Sequence, residues 1–387
     1  MPGSKLGVGI VGVNPAWGWA ATAHIPALRA LSNYYEIRAL SATGPEAARA
    51  AGEAFGVAAV FSHHDELVAQ PDVDVVAVTV KVPHHRELVS AALAAGTAVY
   101  CEWPLGRDLD DARAMAALAA ELGLRTVVGL QARQAPAIEF VRELLSNGYV
   151  GEVLSTTMIG VSVAGDVVVQ PNVYMLDANN GANLLTVAVG HSLDCLNYVL
   201  GEFVELSALS AIRRPLITAE KTREQIVKTA ADQIAVIGTL ASGVTASIHV
   251  REAVAGGFGL VWEINGTEGT LRITAEAALP EIFPLVVAGA RGGGEPAELA
   301  VPAALMQKWP ALASLEGAPA YNVGRAYAAF AAGIANGTHA VPDFADAVRR
   351  HEVIANIERA AASGERVTAQ PNRTPRPEGR QPTITGG

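Results

Sequence analysis

The segment Gly12-Val13-Asn14-Pro15-Ala16-Trp17-Gly18-Trp19 follows an apolar run and leads into a helical pattern over residues 20–31. Glycines at a strand-to-helix turn leave backbone N–H groups and the positive helix end available to a pyrophosphate. Gly12 is expected to make the tight turn and Gly18 to act as the last glycine, one residue late. Asn14 stands where a second glycine would, and asparagine tolerates positive φ better than most side chains. Trp19 opens the helix. The chemistry implied is the binding of a dinucleotide, NAD or NADP. No ribose-binding acid closes the next strand, which ends Leu40-Ser41-Ala42-Thr43-Gly44-Pro45. Ser41 and Thr43, with Arg49 one turn into the following helix, suit a 2′-phosphate; they read equally well as ordinary turn residues.

Other chemistry-bearing types point elsewhere or nowhere. His84 and His85 are sequence neighbours, so on a helix they point in different directions, and without a third ligand nearby no metal site is expected. Cys101 and Cys195 lie far apart in apolar segments, which suits a reducing compartment and suggests no disulfide framework.

The dinucleotide loop needs a particular scaffold. Over residues 6–131, short Val/Ile/Ala-rich runs at 6–12, 37–42, 73–80, 98–102 and 125–130 alternate with amphipathic helical patterns. None alternates with period two, as expected for parallel strands buried on both faces. A helix over 136–146 is followed by longer strands at 152–158, 233–239, 245–250, 260–264 and 270–273, with one long helical pattern from about 180 to 201 between them. The fold class expected is α/β followed by α+β: a doubly wound Rossmann sheet at 1–134, then an open, mostly antiparallel sheet with helices at 135–367. Closing helices over 321–363 should pack back on the first domain, and 368–387 should be a mobile tail.

Of the 387 residues, 50% are hydrophobic and 17% charged, enough for a large core. A formal net charge of −10 with no basic cluster disfavours direct nucleic-acid binding. No apolar stretch approaches the roughly 20 residues that span a bilayer, and the N-terminus lacks a basic leader, so no membrane association and a cytoplasmic location are expected.

At the fifth strand the chain reads Val99-Tyr100-Cys101-Glu102-Trp103-Pro104-Leu105. With His24, His85, Gly129-Leu130-Gln131-Ala132-Arg133, Gly148-Tyr149-Val150-Gly151-Glu152, Gly266-Thr267-Glu268-Gly269-Thr270-Leu271 and Ala361-Ala362-Ser363-Gly364, it resembles the Gfo/Idh/MocA family (glucose-fructose oxidoreductase, inositol dehydrogenase, rhizopine catabolism) along nearly its whole length. Gly12-Val13-Asn14, Gly18-Trp19, Glu102-Trp103, Gln131-Ala132-Arg133 and Gly190-His191-Ser192-Leu193-Asp194 look most like the branch containing the yeast galactose-regulon co-repressor, some of whose members do no chemistry.

The resemblance implies hydride transfer between a nicotinamide and a sugar, keto-sugar or polyol, with His191 as proton acceptor or donor. It places Val80, Lys81, His85, Glu102, Trp103 and Gln131 beside the cofactor, and Trp103, Arg133, Tyr174 and Asp177 at the substrate rim. Two family positions differ. Trp103 replaces the lysine of Glu-Lys-Pro, and Val187 replaces an aspartate four residues before the histidine. Asp194 is a substitute to orient His191, and Lys81 a substitute ammonium. Trp103 is either a wall on the nicotinamide or core filling. Glu102 by composition alone would be a surface acid, and Asp177 reads also as a helix cap. The alternative to an enzyme is a dinucleotide-binding regulator that grips a protein partner; a weaker third reading is an assembly subunit. A homodimer or homotetramer through the C-terminal sheet is expected under all of them.

Overall fold

The computed structural model describes residues 5–163, 165–253 and 257–369. The first six strands are β1 (Leu6–Val11), β2 (Tyr35–Ser41), β3 (Ala59–Phe61), β4 (Val75–Val78), β5 (Ala98–Cys101) and β6 (Thr126–Val128). They form one sheet in the order β3-β2-β1-β4-β5-β6, and every pairing is parallel. All of β4 is buried, as the lack of period-two alternation requires. The sequence pattern misses β3, whose three half-buried residues are too few to show a period. Strand order reverses between β1 and β4, and there the carboxyl ends of the strands open the crevice in which doubly wound sheets bind ligands.

The helix Pro136–Ser146 matches its predicted span. The long helix expected from about 180 is broken: a 3-10 turn at Ala178–Asn180, a π-helical segment at Leu185–Val189, then the α-helix Gly190–Leu200. The Asn183 side chain causes the late start. Its Oδ1 accepts the N–H groups of Leu185 and Thr186 at 3.0 and 3.3 Å, which caps the helix there.

The second sheet has nine strands. From one edge they run Ala297–Glu298, Val286–Arg291, Gly269–Ala275, Leu260–Gly266, Val153–Val163, Thr245–Ala253, Gln233–Leu240, Phe203–Ala211 and Val367–Thr368. Only the pairing of Val153–Val163 with Thr245–Ala253 is parallel, so the sheet is mostly antiparallel as expected. One face carries Met158, Val236, Ile248, Val250, Trp262 and Ile273 into the core. Alternate residues Leu209, Ile237 and Val286 stand exposed on the other. Val367 and Thr368 pair with Leu206 and Glu205, so the expected tail starts later than 368; residues 370–387 lie outside the described residues.

The helix Ala320–Asn336 lays Val323, Ala326, Tyr327 and Phe330 into one buried cluster with Val8, Ile10, Ile25 and Leu28. The helix Phe344–Ser363, begun by an Asp343/Asp346 capping box, packs on Leu109–Glu121 and on Phe203–Ala211. The two sheets are thereby locked together around the crevice. Among the described residues no helix is long and apolar enough to cross a membrane.

Candidate active site

Gly12 turns the chain after β1 at φ 96°. A Cβ there would lie 2.6 Å from Val80 Cγ1, so only glycine lets the loops after β1 and β4 meet. The N–H groups of Gly12 and Val13 both donate to the Ser41 carbonyl at 3.0 Å. Asn14 does not use the left-handed region, since among the described residues Arg223 is the only non-glycine with positive φ. Its Oδ1 instead accepts the Ala16 N–H at 2.9 Å, an Asx turn that shapes the loop with a side-chain oxygen. Gly18 is at φ 105°, and its carbonyl accepts the Thr22 N–H and hydroxyl, each at 3.0 Å. Half-buried Trp19 follows, and the chain enters the π-helical turn Ala20–His24.

The residues suggested for a 2′-phosphate do not assemble. Ser41 is buried and Thr43 exposed, while the Arg49 guanidinium is paired with Glu53 at 2.7 Å. His85 is also corrected as a cofactor contact. It is buried, with Nε2 3.0 Å from the Val80 carbonyl and Nδ1 3.3 Å from Cys101 Sγ. Burial pushes the His85 pKa down and the Cys101 thiol up; Nδ1 also lies 3.0 and 3.2 Å from the Pro104 and Leu105 carbonyls, so both ring nitrogens are held by backbone oxygens. The ring braces the loop after β4 against β5, and only its neighbour Val80 faces Gly12.

Beyond β5, the Glu102 carboxylate is held by His24 Nε2 at 2.8 Å and by the Gln131 amide, which donates at 3.2 Å. The other nitrogen of His24 lies 2.8 Å from the Tyr327 hydroxyl, so a polar chain runs from Gln131 and Glu102 to the closing helix. Trp103 is 6% exposed and donates from Nε1 to the Thr186 carbonyl at 2.8 Å. Its indole presses on Gly190, where a Cβ would fall 2.8 Å from Nε1, and its other neighbour is the His351 ring at 4.7 Å. The family's lysine position is thus filled by a locked apolar wall.

His191, 5% exposed, places Nε2 3.5 Å from Oε1 of Glu281, itself 3% exposed. His191 Nδ1 and Glu281 Oε2 have no hydrogen-bond partner. Burial lowers the His191 pKa to about 4 and raises that of Glu281 to about 8, with the Glu102 charge adding to the latter. Between those limits the pair is a neutral imidazole beside a protonated carboxyl. Sequence reasoning missed Glu281; the signal was an acid enclosed in the apolar run Leu279-Pro280-Glu281-Ile282-Phe283-Pro284.

Asp194 does not orient His191. Arg133 takes both its oxygens, at 2.9 and 2.6 Å, and donates to Asp346 at 2.9 Å, while Arg350 Nε stands 3.5 Å away. Spacing of i+3 put Asp194 beside the histidine, but a bidentate guanidinium is the stronger claim on a buried carboxylate. Arg133 is for the same reason a strut between helices and not a rim residue. Asp177 is exposed and caps the next turn, accepting from the Asn179 N–H at 3.0 Å. Tyr174 and Lys81 do come together across the domains, the ammonium 4.7 Å from the ring centroid.

Gln131 Oε1 is a third buried polar atom without a partner, linked through Glu102 to the crevice. Leaving such atoms unmet costs about 1–3 kcal/mol each, and the carboxamide and ribose hydroxyls of a nicotinamide dinucleotide carry the complementary groups. The residues present therefore fit that cofactor. A glycine turn at the strand-order reversal of a parallel doubly wound sheet is the arrangement that dinucleotide-binding folds use. Residues 6–130 match the oxidoreductase family with an NAD-binding Rossmann fold, and residues 136–275 match the Gal80p C-terminal domain. The first domain is thus similar to the Gfo/Idh/MocA oxidoreductases and the second to Gal80p.

It is 39% identical over 190 residues to dehydrogenase aclE of Aspergillus oryzae, a match covering 48% of this chain and 51% of that protein. It is 29% identical over 307 residues to the galactose/lactose metabolism regulatory protein GAL80 of Saccharomyces cerevisiae, covering 73% and 70%. A crystal structure of a super-repressor mutant of Gal80p from Saccharomyces cerevisiae aligns with a TM-score of 0.83 at 25% identity, covering 94% of this chain and 98% of that one.

Proposed function

We propose that the chain is an NAD-dependent oxidoreductase of a carbohydrate or polyol, carried by one observation: the buried His191–Glu281 pair, both members of which feel the charge of Glu102 at the end of β5. The Gly12–Gly18 loop and the helix end behind it hold the pyrophosphate, and Glu102 and Gln131 hold the nicotinamide side. When bound, the cofactor exchanges hydride at nicotinamide C4. His191, with Nε2 beside Glu281, is the group that would exchange a proton with the substrate hydroxyl. Trp103 walls the site from water, and Lys81 over Tyr174 borders the substrate side. NAD is favoured over NADP because the matched Rossmann model is of an NAD-binding family.

The locked indole of Trp103 favours a second reading, a dinucleotide-binding regulator that has lost turnover and meets a protein partner. Under either reading the exposed sheet face bearing Leu209, Ile237 and Val286 suits a homodimer or homotetramer contact, and the buried, unpaired Cys101 and Cys195 suit the cytoplasm. The deciding experiment is a single-turnover assay of the full chain with NAD+ and pooled sugars and polyols. Reduced nicotinamide absorbance is the expected result. NAD+ binding without absorbance in any pool transfers the conclusion to the regulator, and absence of NAD+ binding removes both.

A further inference from the structure

A cavity of about 350 Å³ lies against the segment that precedes His191. Val187, one helical turn before His191, and Leu279, two residues before Glu281, both line it. Most of the lining is apolar, including Leu176, Leu184 and Ile217. In it sits an ion pair that the fold does not require: Lys228 Nζ donates to Glu252 Oε2 at 2.5 Å, with the Lys228 side chain 2% exposed. Among the described residues Glu252 is the one side chain that Lys228 bonds. An ammonium carries three donors and a carboxylate about four acceptor sites, so one mutual bond leaves both groups with capacity directed at the cavity.

The chemistry of such a pair is selective. Its net charge is zero, so it does not neutralise an anion, and Glu252 repels one. A buried ion pair adds little to stability over an apolar replacement, which leaves ligand recognition as its use. Lys228 donates and Glu252 accepts side by side, the complement of a hydroxyl or of two adjacent hydroxyls. We infer that this cavity holds the substrate, a neutral cyclic diol or polyol with an apolar flank, anchored by Lys228 and Glu252 with Val187, one helical turn from His191, as part of its wall. Sugar acids and phosphorylated sugars are excluded from the pocket. Val187 fits this assignment, since it supplies an apolar wall where the family has an aspartate. The position beside His191 rests on the oxidoreductase reading, whereas the binding does not.

The test is titration calorimetry of the full chain with NAD+ present, using trans-1,2-cyclohexanediol and D-xylose as neutral probes and D-glucuronate as the anionic one. The expected result is binding of at least one neutral probe and at least about tenfold weaker binding of glucuronate. Lys228→Met and Glu252→Gln should each weaken the neutral probe by about tenfold or more. Because either single change strands a buried charge, Lys228→Met/Glu252→Leu is the control for folding: it should keep the NAD+ affinity of the parent and lose the diol. Glucuronate binding as tightly as the neutral probes, no binding of either neutral probe, or a diol affinity unchanged in the double variant overturns the inference. Diol binding without NAD+ binding upholds it and sinks the oxidoreductase reading alone.

Discussion

Glu281→Gln removes a proton site whose folded and unfolded affinities differ, and the pH dependence of stability reports it. The folded carboxyl titrates near 8 against 4.5 in the unfolded chain, and folded His191 near 4 against 6.5. For Glu281 the native state binds more protons between pH 4.5 and 8, so stability falls across that window, by about 5 kcal/mol at 1.36 kcal/mol per pH unit. For His191 the unfolded state binds more protons between pH 4 and 6.5, so stability rises there by about 3 kcal/mol. The slopes oppose one another up to pH 6.5 and leave a net fall of about 2 kcal/mol between 6.5 and 8.

Glutamine keeps the shape and cannot titrate. The difference in unfolding free energy between Glu281→Gln and the parent should therefore move in the variant's favour by about 5 kcal/mol from pH 4.5 to 8 and stay constant above. Urea unfolding of both proteins at pH 4.5, 6.5, 8 and 9 measures it. Had the pair been a carboxylate and an imidazolium, glutamine would strand a buried charge and the variant would lose about 3–5 kcal/mol at pH 7. That outcome would refute the neutral pair, and with it the assignment of His191 as a free base above pH 4.

Activity should follow the same two groups: a rate profile with limbs near pH 4 and 8, the alkaline limb disappearing in Glu281→Gln. Gly12→Ala forces a side chain into φ 96° and against Val80, and NAD+ affinity by fluorescence titration should drop at least about tenfold; an unchanged affinity would remove Gly12 from the cofactor loop. Asp194→Asn leaves Arg133 and Arg350 short of a counter-charge and should cost about 3–5 kcal/mol of stability, and the acidic limb set by His191 should move lower, because the Asp194 charge raises that pKa. Activity lost with stability intact would instead make Asp194 the residue that orients the histidine. Gly190→Ala drives a methyl onto the Trp103 indole and should cost about 1–3 kcal/mol, with a shift in tryptophan emission.

By itself the sequence determined the two-sheet plan, because runs buried on both faces and strands with one wet face leave different local patterns. Most strands of the first sheet, the helix Pro136–Ser146 and the glycine at the dinucleotide turn were legible for that reason. What it missed was either too short, as β3, or without a period of its own, as the edge pair Val367–Thr368. The resemblance also marked two departures: Trp103 and Val187 stand where the family has a lysine and an aspartate.

Only the tertiary structure decided which polar groups meet. Asp194 and Arg133 looked like site residues by spacing, yet they consume each other, since partner choice depends on chain segments 61 residues apart converging. Glu281 looked like nothing, and became the partner of His191 because a loop from the second sheet carries it there. Lys228 and Glu252 are likewise joined only by the fold. Helix and strand periods are short-range properties, written within a few residues of each other. The protonation and pairing of a buried side chain depend on every segment packed around it, and no window of sequence contains them.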